Sequence, residues 1–133
     1  MKLKGKVALV TGGGRGLGQG IVKRLAEAGC DVAAVDTIEE NAKKVAEDVK
    51  AMDRRAIALK VDVTKWDQVQ NMVKETIDKL GSLDIAVNNA GVISIMPVEE
   101  LTEKDWGLPA FSECCSCGGT QFSRRCLPFG GCW

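Results

Sequence analysis

Two hydrophobic rhythms alternate along the chain: short unbroken apolar runs, and stripes in which apolar residues recur every three or four positions. Val7–Thr11 is the first run and enters a Gly-rich turn; Leu17, Ile21, Leu25 and Ala28 follow at helical spacing, and Gly29 stands where a helix would stop. A second run, 32–36, ends on Asp36. Thr37 and Glu40 then sit at capping-box spacing and open a polar helix to about Met52, with Ala42, Val45, Ala46 and Val49 on its inner face. Residues 56–63 form the third run. Thr64 and Asp67 repeat the capping-box spacing before a helix whose buried stripe is Val69, Met72, Val73, Thr76, Ile77 and Leu80, ended by Gly81. A fourth run covers 83–88. Continuous apolar strands alternating with amphipathic helices predict an α/β fold, a parallel sheet covered on both faces with right-handed crossovers.

Composition sharpens this picture mainly by exclusion. The chain has 133 residues, room for one domain. It contains no His and no Tyr, so it holds no Ser-His triad, His metal site or Tyr proton donor. Eighteen basic residues balance eighteen acidic ones, which leaves no electrostatic footprint for nucleic acid or an anionic membrane. The first ten residues carry three Lys but only four consecutive apolar positions, far short of a signal or membrane segment, so a cytoplasmic location is expected.

Residue usage breaks sharply after Trp106. Residues 1–106 hold 14 Val, 7 Ile and 12 Lys; residues 107–133 hold none of these, yet contain five of the six Cys, all three Phe and five Gly. The division expected is an α/β body, 1–106, which the motifs below mark as a dinucleotide-binding half domain, and an irregular Cys-rich tail, 107–133. The break falls inside what reads as a helix opening, with Thr102 and Asp105 at capping-box spacing. Reading in another frame, or an accidental fusion, accounts for the tail most simply. Cys114 and Cys117 have C-x-x-C spacing, but Cys126 and Cys132 do not, which weakens a zinc reading. An even Cys count permits disulfides, and Cys30 in the body reads as a small hydrophobe.

The chemistry centres on the stretch from Thr11 to Gly18, T-G-G-G-R-G-L-G, which joins the first strand to the first helix. Backbone N–H groups at a helix start are unpaired and sit at the positive end of its dipole, so a pyrophosphate can bind there without a charged side chain. Gly12 suits a tight turn, Gly16 a close approach to phosphate, and Gly18 the packing of helix on strand. The spacing is G-x-x-x-G-x-G, not the standard G-x-G-x-x-G. Asp36, 24 residues after Gly12, either accepts hydrogen bonds from ribose hydroxyls and repels a 2′-phosphate, or merely neighbours a helix cap. Arg15 pairs with a 2′-phosphate or is solvated. The balance favours NAD over NADP.

With these features the sequence resembles the short-chain dehydrogenase/reductase family. The resemblance rests on the T-G-x-x-x-G-x-G turn, Asp36 closing the second strand, Asp62-Val63 ending the third, Asn88-Asn89-Ala90-Gly91 ending the fourth, and the helix-entry run from Leu101. It implies a partial Rossmann-like, doubly wound sheet of about four strands in the order 3-2-1-4. Gly12, Arg15, Gly16, Leu17 and Gly18 would then hold the cofactor with Asp36; Asp62 and Val63 would contact adenine, and Asn88, Ala90 and Gly91 would line the cleft. The activity implied is hydride transfer between a nicotinamide cofactor and a small alcohol or carbonyl compound. Full-length relatives are expected to be homo-oligomers. The family moves its proton through a Tyr tuned by a Lys four residues later, with a Ser orienting substrate; this chain has no Tyr and no Lys after Lys104. No catalytic or metal-ligating residue is therefore assigned. Three function classes follow: an oxidoreductase, inactive in this form; a nucleotide-binding module; and a metal-binding or interaction polypeptide built on the Cys tail.

Overall fold

A computed structural model of the protein describes residues 2–91. The expected domain break at 106, the helix opening at Thr102 and the tail cysteines lie outside the described residues. Elements alternate without exception: β1 (Val7–Thr11), α1 (Gly16–Glu27), β2 (Asp31–Asp36), α2 (Glu39–Lys50), β3 (Ala56–Lys60), α3 (Trp66–Leu80) and β4 (Ile85–Val87). The four strands form one parallel sheet, as the sequence pattern predicts, in the order β3-β2-β1-β4 that the family resemblance implies.

Side chains alternate across the sheet and divide the core in two. Ala8, Val10, Val32 and Ala34 face α1 and α2, meeting Val22, Ala26, Val45, Ala46 and Val49; Val7, Leu9, Ala33 and Val35 face Met72 and Leu80 of α3. β1 and β2 are apolar on both faces because helices cover both. Cys30 is fully buried in the first cluster, as expected of a small hydrophobe, and burial first, then Asp31 and Asp84, push its thiol pKa up.

Several local expectations need correction. The buried stripe of α1 is Gly18, Val22 and Ala26, whereas Leu17 is 76% exposed and Ile21 and Leu25 are only partly buried. At its start this helix lies so close to the Gly-rich turn that no side chain fits: a Cβ on Gly18 would stand 2.0 Å from the Gly12 carbonyl oxygen. The large apolar residues are displaced one position around the helix. On α3, Met72, Thr76 and Leu80 are buried as expected, but Ile77 is 44% exposed.

Neither expected capping box forms. Ile38 and Lys65, not Thr37 and Thr64, occupy the N-cap positions of α2 and α3, and neither makes a side-chain cap. In both places a carboxylate at or just past the end of the preceding strand captures the turn instead. Asp36 Oδ1 accepts the Ile38 N–H at 3.0 Å; Asp62 Oδ1 accepts the Thr64 N–H at 3.0 Å and its hydroxyl at 2.7 Å. A charged acceptor two residues back outcompetes a neutral hydroxyl. These turns also end β3 at Lys60, before the predicted limit at Val63.

Candidate functional site

From β1 the chain passes outward through β2 to β3, then returns to place β4 on the other side of β1. The strand order therefore reverses at the carboxyl ends of β1 and β4, the position where open α/β sheets form a ligand crevice. A cleft of about 530 Å³ lies there. That volume is within the roughly 300–1,000 Å³ of small-molecule sites.

Its walls are the segments singled out from sequence. Gly12, Arg15, Gly16, Leu17 and Gly18 contribute the Gly-rich turn, Asp36 the end of β2, Asp62 and Val63 the segment after β3, and Ala90 and Gly91 the segment after β4. Asn88 is not on this cleft; it lines a separate cavity of about 40 Å³ with Thr11, Val63, Val69, Met72 and Ala90. The exposure of Leu17 acquires a reason here, because its side chain borders the crevice and not the core.

The turn is shaped for an anion. Gly12 and Gly16 have φ of +63° and +55°, a conformation that favours glycine, and a Cβ on Gly16 would meet nothing within 4 Å. The backbone there is open towards the crevice. Helix α1 begins at Gly16 with no side-chain cap and no acidic residue in its first turn, whereas α2 and α3 carry Glu39, Glu40 and Asp67 in theirs. Only α1 among these three leaves its positive end to an external anion.

Two carboxylates flank the turn. Asp36 is 8% exposed, and its Oδ2 accepts the Gly14 N–H at 3.1 Å. Asp62 has its pKa lowered, first by the Thr64 hydroxyl and then by the Thr64 N–H, so it presents an ionised acceptor. Its own N–H donates to Gln68 Oε1 at 2.8 Å, fixing the segment after β3 to helix α3.

Asn89, not selected from sequence as a site residue, joins the crevice walls. Its Nδ2 donates to the Thr11 and Gly12 carbonyls at 3.2 and 3.3 Å. Thr11 completes the junction: its hydroxyl oxygen accepts the N–H groups of Asn89 and Ala90, each at 3.1 Å, and donates to Val87 O at 3.4 Å. The Asn-Asn dipeptide was the available signal, but neighbouring residues after a strand point in different directions, and spacing does not say which one turns towards β1.

A Gly-rich turn at the switch point of a doubly wound parallel sheet defines a Rossmann-like fold. The family profile described as short chain dehydrogenase matches residues 6–108, and the chain belongs to that family. A hydroxynaphthalene reductase-like protein Arp2 of Metarhizium majus (strain ARSEF 297) is 42% identical over 105 residues, 78% of this chain and 39% of the relative. The 2-dehydro-3-deoxy-D-gluconate 5-dehydrogenase of Escherichia coli (strain K12) is 41% identical over 104 residues, 78% of this chain and 40% of the relative. The chain thus spans about two fifths of the length of these curated relatives. Among solved structures, a blue fluorescent protein from a metagenomic library in complex with NADPH aligns with a TM-score of 0.80 and 37% identity, covering 85% of this chain and 47% of that one. A short chain dehydrogenase from Burkholderia cenocepacia J2315 in complex with NADP gives 0.79 and 39%, covering 88% and 50%.

Among the described residues no group of His, Cys, Asp and Glu could hold a metal ion, and no helix is long and apolar enough to cross a membrane.

Proposed function

We propose that this chain is the cofactor-binding half of a short-chain dehydrogenase/reductase-type oxidoreductase and that its cleft takes NAD in preference to NADP. The observation that carries this reading is the start of α1 at Gly16, with no side-chain cap and no acidic residue in its first turn, on a crevice that the Asp36 carboxylate also lines. The pyrophosphate is received by the first-turn amides of α1, the adenosine ribose by Asp36, and the adenine by the wall containing Asp62 and Val63. When bound, the nicotinamide supplies the hydride-accepting or hydride-donating ring.

In the whole protein the reaction proposed is hydride transfer to or from a small alcohol or carbonyl compound. The 133-residue chain contributes binding and orientation to it. It has neither Tyr nor His to move the accompanying proton, so we assign it no turnover by itself. Affinity at the adenosine end does not substitute, since binding shared by ground and transition states leaves the chemical rate unchanged.

A second reading, preference for NADP, is favoured by Arg15 on the cleft wall and by the NADP(H) held in the two structural relatives. Calorimetric titration of the full chain with each cofactor separates the readings. Tighter NAD supports the role given to Asp36; equal or tighter NADP shows that Arg15 dominates. Absence of binding by either refutes the cofactor assignment.

A further inference from the structure

Asp36 has backbone partners for both its carboxylate oxygens. Oδ2 accepts the Gly14 N–H across 22 residues of sequence, at 3.1 Å and in a buried setting, while Oδ1 accepts the Ile38 N–H at 3.0 Å. One carboxylate therefore joins the middle of the Gly-rich turn to the entrance of α2. The approach is tight: a Cβ on Gly14 would stand 2.6 Å from Oδ2 and 2.7 Å from the Cβ of Asn41. The neighbouring Gly13 N–H donates to Val35 O at 2.8 Å, so β2 braces two consecutive residues of the turn.

We infer that Asp36 is a positioning residue for the phosphate turn, holding it in its binding shape before any ligand arrives, besides reading the ribose. An ionised carboxylate oxygen accepts more than one hydrogen bond, so engagement with Gly14 and Ile38 leaves capacity for ribose hydroxyls. Three consecutive glycines, 12–14, have wide conformational freedom, and the turn they form is ordered only by what grips it. Replacing the carboxylate by an amide leaves a single acceptor for two N–H groups and turns a donor towards one of them. The turn then visits its binding shape less often, and apparent affinity falls by that fraction for every ligand that uses it. That common factor leaves the NAD to NADP ratio unchanged, so any narrowing of the gap in Asp36→Asn comes from the lost ribose contact and the lost repulsion of a 2′-phosphate.

The latch is a property of the free chain; its effect on binding rests on the cofactor reading proposed above. Amide hydrogen exchange of the ligand-free full chain, resolved by NMR, tests it directly. Asp36→Asn is expected to speed exchange at Gly14 by about tenfold, the equivalent of one charge-assisted hydrogen bond at the low end of its range. Titration with inorganic pyrophosphate, which has no ribose, is expected to show about tenfold weaker binding by the variant. Unchanged Gly14 exchange and unchanged pyrophosphate affinity in a folded variant would overturn the latch while leaving the ribose role intact. Accelerated Gly14 exchange in a protein whose wild type binds neither NAD nor pyrophosphate would uphold the latch and refute the cofactor reading. If Asp36→Asn does not fold, Gly14→Ala carries the same test from the other end, because its methyl group displaces the carboxylate.

Discussion

Thr11→Val removes one oxygen atom and breaks the junction between the Gly-rich turn and the end of β4. Thr11 is 4% exposed, and its hydroxyl oxygen accepts both the Asn89 and Ala90 amides while donating to Val87 O. Valine keeps the methyl packing and supplies no acceptor. An orphaned buried donor costs about 1–3 kcal/mol. Both amides are only partly buried, so water recovers some of that and the low end applies to each. The expected loss is about 2–3 kcal/mol, a large share of the roughly 5–15 kcal/mol that holds a domain folded. Thr11→Ser keeps the oxygen and loses a methyl group, for about 1 kcal/mol. Urea unfolding of the three proteins, read as midpoints at constant slope, measures both values. A valine variant within about 0.5 kcal/mol of wild type, or a serine variant less stable than the valine one, would refute the junction.

The other predictions concern backbone closeness, pH and turnover. Gly18→Ala forces a methyl group against the Gly12 carbonyl and should cost upwards of about 2 kcal/mol and weaken NAD binding, whereas Gly20→Ala, where nothing lies within 4 Å, should stabilise α1 by about 1 kcal/mol; thermal unfolding of the pair checks the contrast. The Asp84 carboxyl is held below its ordinary pKa of 3.8, first by the Lys6 ammonium, then by the Val7 N–H and the Ser82 hydroxyl. A lowered folded-state pKa stabilises fully above the unfolded value and is lost as pH falls through the folded one. The stability gap between wild type and Asp84→Asn should thus be constant at neutral pH and close below 3.8; a gap independent of pH in acid titrations would contradict the stabilising pairing of Asp84 with Lys6. Nicotinamide-dependent turnover by the purified 133-residue chain should be absent across a panel of small alcohols, sugars and ketones, and steady NADH formation would demand a proton acceptor that the sequence does not suggest.

What could be read from sequence, and what could not, follows from the range of each interaction. β1 and β2 are legible because a strand buried on both faces is an uninterrupted apolar run, and the inner face of α2 is legible because its other face is charged. The buried face of α1 is not legible from hydrophobicity, since close contact of Gly18 with Gly12 selects for smallness and leaves Leu17 to the crevice. Asp36 and Asp62 were readable as strand-end acids, yet their capture of the following turns, in place of the threonine caps, depends on a competition between acceptors that spacing does not rank. The bond from Asp36 to Gly14 and the grip of Asn89 on the Thr11 and Gly12 carbonyls cross 22 and more than 70 residues, and only the sheet order brings those partners together.

Amide NMR mapping of NAD added to the full chain tests the cofactor cleft most directly, because it reports where the ligand sits as well as whether it binds. Saturable shifts should concentrate on Gly12, Gly16, Gly18, Asp36, Asp62 and Ala90, with little response in Asp84 and Ser82 at the opposite end of the strands. Saturable binding centred anywhere else, or no shift at the phosphate turn at millimolar NAD, would contradict the assignment of this cleft.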